Sequence, residues 1–367
     1  MKRFQMAFIV VLCLIQVQSS PAQSKERLKP EQAKKVDQAV IAQIEKQGLV
    51  GVAIGILQKG EIVYLKGFGL ADRESQIPVT VDTVFNWASN SKPLCALAAM
   101  QLVEKGKLDL DCDIKKYVPE FPEKDGIITM RHLLCHQSGI QHYGRVLPTN
   151  KKYDTPLPLL NPVNSLNVFN RTPLLHKPGE KFLYSSYAYI LASAVVQNAG
   201  KQPIQDQLVQ RIIKPLGMKS FQLDMPYQQQ PYWAAGYNRA TAEDKPTRLG
   251  DEAHYWKHGA GGYKSNIRDF AIWARAVLNQ ELISASTDSM MNTRQKTNDG
   301  KLTGHGLGFG VDDQNGLRLS HGGKQGETTT RLVVYPKQKH GVVVMTNCGY
   351  GDPAAISTAI YQALRDK

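Results

Sequence analysis

Apolar residues recur along this chain with two different periods. Between Glu31 and Lys46, Ala33, Val36, Ala39, Val40, Ile41 and Ile44 fall at roughly helical spacing, which predicts an amphipathic helix. Val50 to Leu57 and Glu61 to Phe68 then read as two strands around a tight Lys59-Gly60 turn. Towards the other end, Leu317 to His321, Thr328 to Tyr335 and Gly341 to Asn347 read as three more strands, and Pro353 to Leu364 as a closing helix. A helix leading into a hairpin predicts a helix packed on an antiparallel sheet.

The stretch between these ends is mostly helical in period. Helices are predicted from Ser89 to near Gly106, over Thr129–Cys135, Phe182–Ala199 and Pro203–Ile213, and from Ile267 to Leu278 after the glycine-dense turn Gly259-Ala260-Gly261-Gly262. Two segments, Gln141–Asn170 and Pro226–Lys257, carry little periodicity; long irregular stretches inside a compact domain are usually functional, and these are expected to wall a pocket. No internal repeat is evident. The expected class is α/β (α+β): an antiparallel sheet flanked by N- and C-terminal helices, built from residues 23–85 and 290–367. A large, mainly helical domain, 86–289, is inserted, with the active site at the interface.

Residues 1–22 are set apart. Lys2 and Arg3 precede an apolar run from Met6 to Val17, and Ser20-Pro21-Ala22 supplies small residues at the spacing of a signal-peptidase site, so export to the periplasm or medium is expected. That run is too short for an anchor, and no later segment approaches a membrane span. The formal charge of +13 falls by the two charges of Lys2 and Arg3 and stays basic. Scattered lysines without a basic-aromatic motif argue against nucleic acid, and leave anionic cell-envelope material as a partner the charge would suit. Four cysteines, Cys95, Cys112, Cys135 and Cys348, remain after the leader; an even number in an oxidising compartment permits two bridges without requiring them.

Three places could carry chemistry. In Ser89-Asn90-Ser91-Lys92 a polar tetrad runs straight into a buried helix, and the i, i+3 spacing stands an amine over a hydroxyl, one way to make a serine nucleophilic. An N-cap serine before a solvated lysine would look the same. Tyr184, after the Pro178-Gly179 turn, would point a phenol at a cleft, where a neighbouring ammonium should pull its pKa down and let it take the serine proton. A satisfied core tyrosine is the plainer reading. Ser320-His321-Gly322-Gly323-Lys324 ends a strand with the glycines that close backbone approach demands, and its edge could offer an N–H to an oxyanion; a simple bulge would also use glycines.

In this order and rough separation the three motifs resemble the serine β-lactamase-like family, which includes class C β-lactamases, D-alanyl-D-alanine carboxypeptidases, related esterases and D-aminopeptidases. His132-Leu133-Leu134-Cys135-His136-Gln137-Ser138-Gly139-Ile140, Gly261-Gly262-Tyr263-Lys264-Ser265, Gly306-Leu307-Gly308-Phe309-Gly310 and Val343-Val344-Met345-Thr346-Asn347 resemble it too. The text from Tyr117 to Tyr143 resembles the branch containing the mitochondrial serine β-lactamase-like peptidase. The resemblance implies a β-lactamase/transpeptidase-like fold and a serine hydrolase, catalytic residues Ser89, Lys92 and Tyr184, and an acyl-enzyme on Ser89. It also implies an oxyanion hole from the N–H groups of Ser89 and Lys324, with Ser186, His321, Gly322 and Gly323 at the substrate.

Two departures bear on substrate. Tyr184-Ser185-Ser186 stands where antibiotic-hydrolysing enzymes have Tyr-x-Asn, and His321-Gly322-Gly323 where they have Lys-Thr-Gly. The expectation is therefore a peptidase or esterase acting on a small-molecule or peptide substrate. The alternatives are a β-lactamase, a D-alanyl-D-alanine carboxypeptidase, or a retired member that binds envelope material. No cofactor is called for. His132/His136 and His254/His258 have the i, i+4 spacing of metal ligands without a framed glutamate or a placed third ligand, and the glycine turn at 259–265 misses the spacing of a phosphate loop. Oligomeric state is left open.

Overall fold

The structure is a computed structural model of the chain, which describes residues 27–143, 158–226, 232–250 and 252–365. The expected leader at 1–22, and parts of both low-periodicity segments, lie outside the described residues. In chain order, α1 (Pro30–Gln47) leads into β1 (Gly51–Gln58), β2 (Glu61–Asp72), β3 (Ile77–Pro78) and β4 (Val84–Asn86). The helical stretch holds α2 (Ser91–Glu104), α3 (Met130–Leu134), α4 (Pro162–Ser165), α5 (Ser186–Gly200), α6 (Ile204–Leu208) and α7 (Lys214–Leu216). Short strands β5 (Gln222–Leu223), β6 (Tyr237–Asn238), β7 (Thr247–Arg248) and β8 (Tyr263–Asn266) precede α8 (Ile267–Asn279) and α9 (Ala285–Met291). The chain closes with β9 (Gly310–Asp312), β10 (Arg318–Gln325), β11 (Thr328–Tyr335), β12 (His340–Thr346) and α10 (Pro353–Arg365).

Seven strands form one antiparallel sheet in the order β3-β2-β1-β12-β11-β10-β9. The β1–β12 pairing, Ile54 opposite Val344, closes the sheet across the whole length of the chain. Side chains alternate across a strand, so β1 and β12 divide their residues between two cores. Val52, Ile54, Ile56, Val342 and Val344 meet Val36 and Val40 of α1 and Ile356 and Ile360 of α10. Ala53, Leu57, Val343 and Met345 join the larger core that contains α2, α5 and α8. Each large outer side chain removed from water stabilises the fold by about 1.5–3 kcal/mol. Gly55 stays small because α8 is close: a Cβ there would lie 2.8 Å from Val343 Cγ2 and 3.1 Å from Ala271 Cβ.

Several boundaries differ from the sequence expectation. Ser89 belongs to a 3-10 turn, Ala88–Asn90, and the α-helix starts after it, at Ser91. α5 begins at Ser186, where Ser185 Oγ accepts from Ala188 N, so Tyr184 stands just outside the helix. The Pro203–Ile213 helix is α-helical only to Leu208 and widens into a π-turn over Val209–Ile213. β10 runs on through both glycines to Gln325. All four described cysteines are free: Cys95 and Cys135 are buried in the larger core, while Cys348 is buried across the sheet with α1 and α10. No helix among the described residues is long and apolar enough to cross a membrane.

Candidate active site

The turn that presents Ser89 is held from both sides. Ala88 has φ +48°, a left-handed conformation unusual for a residue with a Cβ, and its N–H donates to Asn86 Oδ1 at 2.7 Å. Asn90 Nδ2 donates to Thr330 Oγ1 at 2.8 Å, and Thr330 Oγ1 donates to Trp87 O at 2.9 Å, tying the turn to β11. β10 closes the clamp. A Cβ on Gly323 would lie 2.2 Å from Thr330 Oγ1 and 2.4 Å from Trp87 O, so the strand reaches the turn only because this residue is glycine. Gly322 has room, with its nearest neighbour 3.9 Å from such a Cβ.

Lys92 is fully buried one turn beyond Ser89. Its Nζ lies 2.9 Å from Ser89 Oγ and donates to Ala260 O at 2.6 Å. Burial, and then the charge of nearby Lys257, hold its pKa well below the ordinary lysine value. A neutral amine against a serine hydroxyl can accept its proton. The glycine-dense turn brings Ala260 to this spot by lying on the helices: a Cβ on Gly259 would meet Cys95 Cβ at 2.5 Å and Ser193 Oγ at 2.8 Å.

The Tyr184 ring centroid lies 5.1 Å from Lys92 Nζ. The expected downward pull on the phenol is overturned. Burial pushes it up to about 12 against a hydrogen bond to Ser89, so desolvation outweighs any help from the neighbouring amine. Tyr184 is thus a protonated phenol at neutral pH, a proton donor. Imidazoles surround it: His136 at 4.2 Å between centroids, His142 at 5.4 Å and His321 at 6.3 Å, with His305 5.0 Å from His136. Burial, reinforced by their mutual repulsion and by Lys92, drives His136 and His321 well below the usual histidine range, and burial takes His305 to about 4. All three rings are neutral at pH 7.

The residues expected at the substrate fall as follows. β9 pairs with β10 only over Arg318–Ser320, so His321 to Gln325 leave one edge of β10 without a strand partner. His321 is buried beside Tyr184, whereas the Lys324 side chain is exposed. Ser186 is buried, its N–H donating to His142 Nδ1 at 3.1 Å. The two histidine pairs do local work: His132 Nδ1 accepts from Thr129 N, His258 Nε2 lies 2.9 Å from Leu159 O, and His254 Nε2 lies 2.9 Å from Glu327 Oε1. No group of three metal-ligating side chains is assembled among the described residues. A cavity of about 670 Å³ lined by Asn86, Asp224, Trp233, Lys264 and Glu327 adjoins the Ser89 turn through Asn86; Ser89, Lys92 and Tyr184 do not line it.

Sequence reasoning missed Asn86, His142, Tyr143, Lys257, His305, Gln325 and Thr330. Asn86 lies three positions before Ser89 but offers no spacing signal of its own, and the others are polar or aromatic residues that folding brings towards the site from distant segments. Tyr143 and Trp256, from the two low-periodicity segments, do meet, with ring centroids 6.0 Å apart.

Comparison with known proteins gives the family and the fold. A profile of the family described as Beta-lactamase matches residues 36–367, and the chain belongs to the beta-lactamase family of serine hydrolases. It is 25% identical over 334 residues to Protein flp of Staphylococcus aureus strain N315, covering 88% of this chain and 64% of that protein. It is 29% identical over 303 residues to the human Serine beta-lactamase-like protein LACTB, mitochondrial, covering 64% of this chain and 54% of that one. The fold is that of an octameric penicillin-binding protein homologue from Pyrococcus abyssi, with TM-score 0.76 and 24% identity over 90% of this chain and 76% of that chain. It is also that of EstCE1, a hydrolase with promiscuous acyltransferase activity, with TM-score 0.76 and 22% identity over 92% and 99%.

Proposed function

We propose that this protein is an exported serine hydrolase that cleaves ester or peptide bonds through an acyl-enzyme on Ser89. The observation that carries the reading is the buried Lys92 Nζ, 2.9 Å from Ser89 Oγ. Neutral Lys92 takes the Ser89 proton as Oγ attacks the substrate carbonyl carbon. The carbonyl oxygen gains the charge at the N–H groups of Ser89 and Lys324. Tyr184, protonated, gives its proton to the departing alkoxide or amine as the bond to the acyl carbon breaks; in deacylation the phenolate takes a proton from the water whose oxygen attacks the acyl carbon, and Lys92 returns its proton to Ser89 Oγ as the acyl–Oγ bond breaks. Neutral His321 supplies no cation for a substrate carboxylate, and Ser186 no side-chain amide for a substrate amide, which favours simple esters and peptides over β-lactams.

A fluorophosphonate probe should add its mass to the wild type and none to Ser89→Ala, with intact-mass spectrometry of the secreted protein also giving a mature N-terminus near Ala22. Absence of labelling, where a control hydrolase labels, would sink the catalytic reading. A retained leader would sink export.

A further inference from the structure

Lys257 ends the second low-periodicity segment, inside the 3-10 turn Tyr255–Ala260. Its Nζ donates to Gln325 Oε1 at 2.5 Å and lies 2.9 Å from His254 Nδ1. His254 Nε2 faces Glu327, so its Nδ1 is free to accept. An ammonium carries three donors, and these two partners use two. No contact ion pair of Lys257 occurs among the described residues: of the acids whose charge reaches it, Glu327 faces His254, Asp224 is bound by Lys264 and Asn86, and Glu252 is solvent-exposed. A largely desolvated cation without a contact anion is costly unless something negative arrives.

Its position gives that something a place in the substrate. Gln325 Nε2 donates to Asn86 Oδ1 at 2.8 Å and Gly261 O at 2.9 Å, which fixes the side chain that holds Lys257. Gln325 ends the free edge of β10, and His321, beside Tyr184, begins it. Four residues at about 3.3 Å each separate the two ends by roughly 13 Å. A leaving group protonated by Tyr184 occupies the His321 end, so the acyl portion extends towards Gln325. The aromatic wall there is Tyr143 and Trp256, each with its ring centroid 5.6 Å from Lys257 Nζ.

We infer that Lys257 is a specificity-determining residue that binds a carboxylate carried on the acyl portion of the substrate. This rests on the serine-hydrolase reading. The ammonium does from a loop, on the acyl side, a task that neutral His321 does not perform on the leaving-group side. The acceptable substrates are then acyl groups with a free acid a few carbons from the scissile carbonyl, such as dicarboxylic half-esters or acidic N-acyl peptides.

The test compares kcat/KM for 4-nitrophenyl hydrogen glutarate with that for 4-nitrophenyl valerate, an uncharged ester of the same chain length. The wild type should prefer the glutarate by about tenfold or more, the scale of one charged hydrogen bond. In Lys257→Met the ratio should fall to near one, and Lys257→Arg should restore much of it, whatever happens to the absolute rates. A ratio that ignores residue 257, or a wild type that prefers valerate, overturns the inference alone. An enzyme that turns over neither ester and takes no acyl mass on Ser89 overturns the hydrolase reading, and this with it. Should Lys257→Met fail to fold, methyl hydrogen glutarate should still compete with valerate hydrolysis by the wild type where dimethyl glutarate does not; equal competition overturns the inference.

Discussion

The two faces of the seven-stranded sheet are built from alternate residues of the same strands, yet they do different work. The outer face sets Val52, Ile54, Ile56, Val342 and Val344 against α1 and α10, largely with branched side chains. The inner face carries Ala53, Gly55 and Met345, and above it lies a core that buries Lys92, Asn90, His136 and His321. The first arrangement supplies stability by area alone. In the second, buried polar groups are positioned by hydrogen bonds, and a lysine is kept in an unfavourable setting that makes it chemically useful. Stability and reactivity are thereby assigned to opposite sides of one sheet.

Three substitutions sharpen or break that contrast. Ile54→Ala, on the outer face, should cost about 2–5 kcal/mol of unfolding free energy in denaturant titrations while leaving acylation of Ser89 intact below the transition. A loss of labelling in the folded mutant would show that the faces are not separable. Gly323→Ala should lower kcat/KM by about a hundredfold by displacing the Ser89 turn, the scale of an ångström-level misplacement. Gly322→Ala, with nothing nearer than 3.9 Å, should keep the structure within about 0.5 kcal/mol, and equal stability losses from the two would break the clamp argument.

The smallest effect concerns Lys92→Met. The folded pKa of Lys92 lies below its unfolded value, so between the two the unfolded chain holds a proton that the native state lacks. Stability from this group therefore rises with pH through that window, and at pH 7 its burial opposes folding. The Met variant, though inactive, should melt higher than wild type at pH 7, and the advantage should shrink by pH 10. A lower melting temperature at pH 7 would mean that the bond to Ala260 outweighs the desolvation of the amine.

Much of the fold was legible because periodicity reports burial directly. α1, β1, β2, β11, β12 and α10 follow from apolar spacing, and the family resemblance rested on short motifs whose residues are neighbours in the chain. The start of α5 was misplaced by four residues because Ser185 caps the helix through a side-chain bond that competes with an apolar pattern already running from Phe182. The direction of the Tyr184 shift was missed for a related reason: proximity to a lysine is readable from motifs, but desolvation of both groups is not.

What the sequence alone determined is the longer helices and strands, the terminal helices against an antiparallel sheet and the identity of the Ser89, Lys92, Tyr184 and His321 motifs, since each depends on residues a few positions apart. The tertiary structure alone decided which form each group takes. Gly323 admits β10 to the Ser89 turn, Ala260 arrives to accept from Lys92, His136 and His305 crowd Tyr184 from distant segments, and Lys257 is delivered to Gln325. Those contacts span scores to hundreds of residues, and a proton's affinity is set by the solvent and charge around it in space.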